Sequence, residues 1–289
     1  MASRIFAALF AFAYAAFAWT RPLELPASPS DIVEALRGHR VVLFGEVHDN
    51  PIQHALRLGT LRALFAKGAR PAIAFEQFDR ERQRDIDRAR RERPRDADYL
   101  IAEAKGNPGW RWELYRPYLQ LALDYDVPIV AANLSRSDAM RVALQGWRAL
   151  FDAQTARELK LDALPAEFWR KHEHEIELGH CNLLDAKELP PLARAQVARD
   201  IVMSQAIGPH LQRGVVLLAG NGHVRRDIGV PFWLAQDARR GAFSIGLLER
   251  DDNATARGAD FDAYVVTARA ERPDPCAELT KRRDAGPSR

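Results

Sequence analysis

The sequence predicts an α/β fold, a mainly parallel central sheet flanked by helices, and three observations lead there. Short β-branched or alanine-rich apolar runs recur, VVLF at 41–44, AIAF at 72–75 and VVLL at 215–218. Continuous apolar runs of that length mark strands buried on both faces, as in parallel sheets. Segments of helical periodicity separate them, the alternation expected when helices cover a sheet. Two of the runs are followed closely by glycine and then histidine, in VVLFGEVHDNP at 41–51 and VVLLAGNGHVRRDIGVP at 215–231. Ligands in open α/β sheets bind beyond the carboxyl ends of the strands. Glu46, His48, Asp49, His54, Asn221 and His223 are therefore expected at one rim.

Taken in order, residues 1–18 read as a secretory signal. Arg4 precedes an apolar stretch from Ile5 to Trp19, and Ala16-Phe17-Ala18 supplies small residues where a signal peptidase cuts. The stretch is short for a membrane span, which needs about 20 residues. No cysteine lies near the cut, so a lipoprotein is not expected, and the periplasm or cell envelope is the expected location. Residues 19–30 read as a linker, after which Ser30 or Asp31 caps a helix over 32–36. The first strand is 41–44. Pro51 then opens a helix to about residue 67, with Ile52, Leu56, Leu61 and Leu64 expected to face inward.

The second strand, 72–75, runs into Glu76-Gln77-Phe78, and 79–98 reads as a solvated helix of alternating arginines and acids. Asn107-Pro108-Gly109 is a turn, and a helix over 118–125 leads to a third strand at 128–132. Residues 138–212 are almost wholly helical, with breaks near Leu164-Pro165 and Leu189-Pro190-Pro191. This stretch is expected to be a helical cap inserted between strands three and four, covering the strand ends. Strands four, five and six are expected at 215–218, 243–248 and 264–267. Residues 31–272 thus form a single domain, followed by a polar tail over 273–289 that is loose unless Cys276 ties it down.

Composition narrows the function. With 47% apolar residues the 289-residue chain can fill a core, and its 28% charged residues nearly cancel to a net +3. The pI near 9.0 comes from scattered arginines without a dense basic block, so no nucleic-acid partner is expected. Two cysteines, Cys181 and Cys276, allow one disulfide or two free thiols.

The candidate chemistry sits in a few clusters. Glu46, His48 and His223, joined by Glu76, are types that ligate zinc, manganese or iron, or that cap strand ends through buried hydrogen bonds. Polar groups ending three separate strands favour a functional reading, because burying them costs free energy. Arg225 and Arg226 offer forks for carboxylates or phosphates, or form a solvated pair. In the aromatic block, Trp110 and Trp112 read as core or lid, whereas the phenol of Tyr115 is a hard ligand suited to ferric iron. Lys171-His172-Glu173-His174-Glu175 reads as a solvated helix face, since residues two apart on a helix do not converge. His180, next to Cys181, becomes fixed if that cysteine is bridged. No Gly-x-Ser-x-Gly elbow is present, so a serine hydrolase has little support.

GEVHDNPIQH, AFEQF, WELYRPY, IVAANLSR, LGHC, ARDIVMSQAI and LLAGNGHVRRDIGVP, in this order, carry a resemblance. Over roughly residues 31–250 the chain resembles the ChaN-like family of bacterial haem-binding, iron-regulated proteins, within the Tiki/TraB and erythromycin-esterase-like superfamily. The resemblance implies an exported haem-binding protein of iron acquisition without catalysis of its own. Haem would sit between the sheet ends and the helical cap, in a homodimer sharing stacked haems and served by an outer-membrane haem uptake system. The family's tyrosine iron ligand maps onto Tyr115, with Tyr118 as second choice. His48, His54, Glu76, His180, Asn221, His223 and Arg225 are the remaining expected haem contacts, with Arg225 or Arg226 facing the propionates. The alternative, by resemblance to the superfamily's other branch, is a metal-dependent hydrolase or protease in which Glu46, His48 and His223 hold manganese, cobalt or zinc.

Overall fold

The computed structural model describes residues 21–105, 109–251 and 253–284. The expected signal segment and most of the Asn107-Pro108-Gly109 turn lie outside the described residues. Within them the strands are β1 (Leu23–Glu24), β2 (Val41–Phe44), β3 (Ala72–Asp79), β4 (Ile129–Asn133), β5 (Val215–Leu218), β6 (Ala242–Glu249) and β7 (Ala263–Thr267). They form one seven-stranded parallel sheet in the order β1-β7-β6-β2-β5-β3-β4. The six expected strands are all present. The additional one, β1, is two residues long and lies in the stretch read as linker, too short for a periodic pattern to announce it.

Side chains alternate across the sheet, as pleating requires. Val42, Phe44, Ile73, Phe75, Val216 and Leu218 pack on one face against Leu56, Leu61 and Phe65 of the helix Pro51–Ala66 and Tyr115, Tyr118 and Leu119 of the helix Trp112–Asp124. Val41, Leu43, Ala72, Ala74, Val215 and Leu217 pack on the other against Met203 and Ile207 of the helix Leu189–Ile207. Ile52, expected to be inward, stays 46% exposed because the first turn of its helix projects past the sheet end. The long helix starts earlier than the sequence suggests, at Trp112, and accommodates Pro117 in its interior.

The helices between β4 and β5, Arg136–Gln145, Ala153–Glu158, Ala166–Gly179 and Leu189–Ile207, build the expected cap around their own core of Leu134, Val142, Phe151, Leu161, Phe168, Val197 and Ile201. His172 belongs to this packing at 2% exposure, so the expected solvated face over 171–175 is only partly solvated. Ring contact with Phe168, centroids 4.6 Å apart, draws that turn of the helix inward. Within the described residues, which end at 284, the tail is tied down. Cys181 and Cys276 form a disulfide across 95 residues, tying the helix Pro275–Asp284 to the end of the cap helix Ala166–Gly179.

Candidate functional site

The strand order positions the site. The chain runs from β2 to β3 and β4 first, and β5 then inserts between β2 and β3. The carboxyl ends of these three neighbours place Glu46 and His48, Glu76, and the turn 220–223 together. A cleft of about 480 Å³ opens there, walled on the cap side by Gln196 and Arg199. Its size falls in the range of small-molecule sites, roughly 300–1,000 Å³.

Glycines permit the close packing of the loops. A Cβ on Gly45 would strike the Asn221 amide, and one on Gly220 would come within 2.9 Å of the His48 imidazole. The loop carrying His48 is clamped from the helix behind it. Asn50 caps that helix by accepting from the Ile52 and Gln53 amides, while Gln53 Oε1 accepts from Val47 N at 2.6 Å. Asn221 in turn exchanges two hydrogen bonds with the Leu247 backbone, so its side chain serves as a clamp onto β6.

Two charged networks meet at the cleft. In the first, Glu46 is buried and forms an ion pair with Arg57, whose other nitrogen donates to Phe44 O at 3.0 Å. Glu46 Oε1 also accepts from the Tyr115 hydroxyl at 2.5 Å and from His48 Nδ1 at 3.1 Å, and Oε2 lies 3.1 Å from His54 Nε2. Burial works against the Glu46 charge, but Arg57 and the two histidines outweigh it and hold the pKa below the ordinary value. Burial pushes the Tyr115 phenol far up, and Glu46 adds to the effect. It likewise pushes His54 down to about 4. For His48 burial opposes the charged form, yet Glu76 and Glu46 prevail and raise its pKa.

In the second network His223 sits between two carboxylates. Its Nδ1 donates to Asp200 Oδ1 at 2.6 Å, and its Nε2 lies 3.5 Å from Glu76 Oε1. Glu76 Oε2 accepts from Gly220 N at 2.7 Å. Although burial opposes it, this pair of acids pushes His223 up to about 10, while burial lifts Asp200 to about 6. Glu76 is held well below the usual carboxylate range by the two histidines, against its own burial. Both ring nitrogens of His223 therefore face carboxylates, Asp200 on one side and Glu76 on the other. Arg199 is tied to Asn133 Oδ1 at 2.9 Å and to Leu134 O, which orients its guanidinium at the cleft wall.

The sequence-predicted residues separate on this geometry. Glu46, His48, Glu76, Asn221 and His223 do line one cleft. His54 and Tyr115 are packed behind Glu46 at 4% and 0% exposure. The hydroxyl of Tyr115, the expected iron ligand, donates to Glu46 inside the core, and Tyr118, equally buried, donates to His54 O at 2.7 Å. His180 ends a cap helix with its ring on Ile176 O, away from the cleft. Arg225 lines a neighbouring chamber and is held by Glu175, Asp227 and Asp260. The alternative metal residues Glu46, His48 and His223 line the same cleft, where Glu46 is paired with Arg57 and His223 with Asp200. Among the described residues no three His, Cys, Asp or Glu side chains are arranged to hold a metal ion.

Sequence reasoning missed Arg57 and Gln196, whose amide lies 3.1 Å from His223 Nε2. The available signal was helical spacing. Gln53 and Arg57 share a buried stripe with Leu56 and Leu61, and half-buried Gln196 borders the one formed by Val197, Asp200 and Ile201. A polar residue on such a stripe must meet a buried polar partner.

These features define an α/β protein with a polar ligand cleft at its parallel strand ends, roofed by a helical cap. A family model described as haem-binding uptake, Tiki superfamily, ChaN, matches residues 32–234, and the chain belongs to that family. Haem is the family's cofactor. Among solved structures, one of ChaN from Campylobacter jejuni, described as showing cofacial haem binding, is 22% identical with a TM-score of 0.64. That likeness covers 81% of this chain and 89% of that one and shows a shared fold. An erythromycin esterase mutant in its open conformation is 13% identical, TM-score 0.44, over 80% of this chain and 77% of that one. No curated protein matches the chain in sequence.

Proposed function

We propose that this chain binds haem in the His48 cleft and acts as an exported protein of haem or iron acquisition. The observation that carries the reading is the His48 ring. Its side chain is 44% exposed in an otherwise buried polar site. Its Nδ1 is engaged by Glu46, which fixes the tautomer and turns Nε2 toward the opening, 3.9 Å from Glu76 Oε1. A buried carboxylate behind an imidazole is the usual support for a metal-ligating histidine and raises its basicity. The donor set therefore fits a haem iron, with His48 as the ligand instead of Tyr115.

The surroundings fit as well. Trp110 meets His48 edge-on at 4.8 Å and offers an aromatic wall, while Arg199 supplies a cation on the opposite side. The bound group would supply the iron; this chain's residues hold it and shield one face. Two copies facing each other across their open clefts would form the homodimer. An outer-membrane uptake system would be the source of the haem.

Titrating the mature protein, residues 19–289, with hemin should give a shifted Soret band and a saturable complex. His48→Ala should weaken binding at least tenfold and move the band. An unaltered spectrum on adding hemin to the wild type sinks the proposal. Export is tested separately, by sequencing the N-terminus of the protein recovered from a periplasmic fraction. Recovery of the intact leader from cytoplasm would count against it.

A further inference from the structure

Beside the cleft lies a second chamber of about 490 Å³, meeting it at Val47, Asn221 and Gly222. Five arginines line it: Arg225, Arg250, Arg257, Arg269 and Arg272. Each carboxylate in its wall already has a partner. Arg225 holds Glu175 at 2.5 Å and Asp260 at 3.2 Å, Arg257 holds Asp251 at 2.8 Å, and Arg272 holds Glu249 at 2.5 Å. Two cations remain over. Among the described residues Arg250 has no carboxylate within ion-pair reach. Arg269 Nε stands 4.0 Å from Glu249, which is already engaged by Arg272, by Asn50 Nδ2 at 2.8 Å and by Ala270 N at 3.0 Å.

The wall carrying Arg269 is fixed from both sides. Arg272 reaches Asp49 Oδ1 at 3.0 Å, next to His48 in sequence, and Cys276 is bonded to Cys181 of the cap. The segment 269–276 is thus a strap stitched between the cleft loop, the end of β6 and the cap. A guanidinium fork matches a carboxylate in two-point geometry, and two forks left over at one chamber attract an anion.

We infer that this chamber is a carboxylate-binding subsite, in which Arg250 and Arg269 take the acidic edge of a ligand whose body occupies the His48 cleft. The identity of that body rests on the haem reading, since haem carries two propionates on one edge. A free polycarboxylate offers the same chemistry without a porphyrin.

The test uses iron-free protoporphyrin IX, so that ligation by His48 plays no part, beside its dimethyl ester and free citrate. The protein is the mature chain, as wild type and as the double variant Arg250→Gln/Arg269→Gln. Both arginines are exposed and lie outside the two charged networks of the cleft. The dicarboxylate porphyrin should bind the double variant about tenfold or more weakly than wild type, as expected for losing charge-assisted hydrogen bonds. The ester should bind both proteins equally. Equal binding of acid and ester by the wild type, or no loss in the variant, overturns the subsite and leaves haem binding standing. If no porphyrin binds but citrate raises the Tm of the wild type alone, the anion subsite stands and its assignment to haem propionates falls. If neither ligand acts, the subsite fails, and haem binding is decided by the hemin titration alone.

Discussion

His48 and His223 follow the neighbouring strands β2 and β5 and face the same carboxylate, Glu76, yet the fold treats them oppositely. His48 has one firm partner, Glu46 at 3.1 Å, and leaves 44% of its side chain exposed. His223 is held by Asp200 at 2.6 Å, faces Glu76 at 3.5 Å and is 8% exposed. The difference lies in exposure and closeness, since each imidazole stands between Glu76 and a second acid, but the acids close in on His223 while His48 keeps an open edge at the cleft. Motif reading gave both histidines the same role because the glycine-to-histidine pattern is common to both turns.

The largest expected effect comes from breaking the buried charge that underlies each imidazole. Arg57→Leu leaves Glu46 buried without its cation and should cost about 3–5 kcal/mol, as removal of one member of a buried pair does. Asp200→Asn should cost less, because Glu76 still faces His223. Chemical denaturation of both variants checks the order, and a milder effect for Arg57→Leu would break the comparison.

Proton linkage is next. His54, pushed down to about 4 chiefly by burial, contributes stability that is full above its unfolded value near 6.5 and is lost as pH falls toward 4. His223, raised to about 10 by Glu76 and Asp200 against its burial, behaves with the opposite sign. Its contribution is full below 6.5 and declines as pH rises toward 10, whereas the raised Asp200 loses its own contribution earlier, between about 4 and 6. The acid limb should amount to about 3 kcal/mol, since each tenfold change in proton affinity corresponds to about 1.4 kcal/mol. Stability against pH should therefore peak near the middle of the range. His54→Gln should flatten the acid limb and His223→Gln the alkaline one; a curve whose limbs ignore both substitutions would contradict the assignment.

Smaller effects sharpen the functional half. Gly220→Ala presses a methyl within 2.9 Å of the His48 ring and should cost about 1–3 kcal/mol by overpacking while displacing the imidazole. Hemin affinity should fall with it. His48→Ala should change stability least, within about 1 kcal/mol, because its side chain is half in solvent. A Tm scan of the pair distinguishes a ring that is available from one that is structural.

Much of the fold was legible. VVLF, AIAF and VVLL became β2, β3 and β5, because residues of that kind bury both faces of a parallel strand. The cap followed from helical periodicity across 138–212. The strap was open in the sequence, as two cysteines admit a bridge without requiring it. For Tyr115 residue type suggested iron, and only packing shows that its hydroxyl is taken up by Glu46 in this structure. His172 misled, a polar run hiding one inward-facing ring.

By itself the sequence determined that glycine and polar side chains end three apolar strands, a local matter of residue type and spacing. Only the tertiary structure decided that β5 inserts between β2 and β3, bringing those ends into one cleft. It alone also decided which imidazole is clasped and which is offered. Those outcomes depend on contacts between residues more than a hundred positions apart, such as Gly220 with Glu76, and on burial that sets each proton's affinity. No local pattern carries that information.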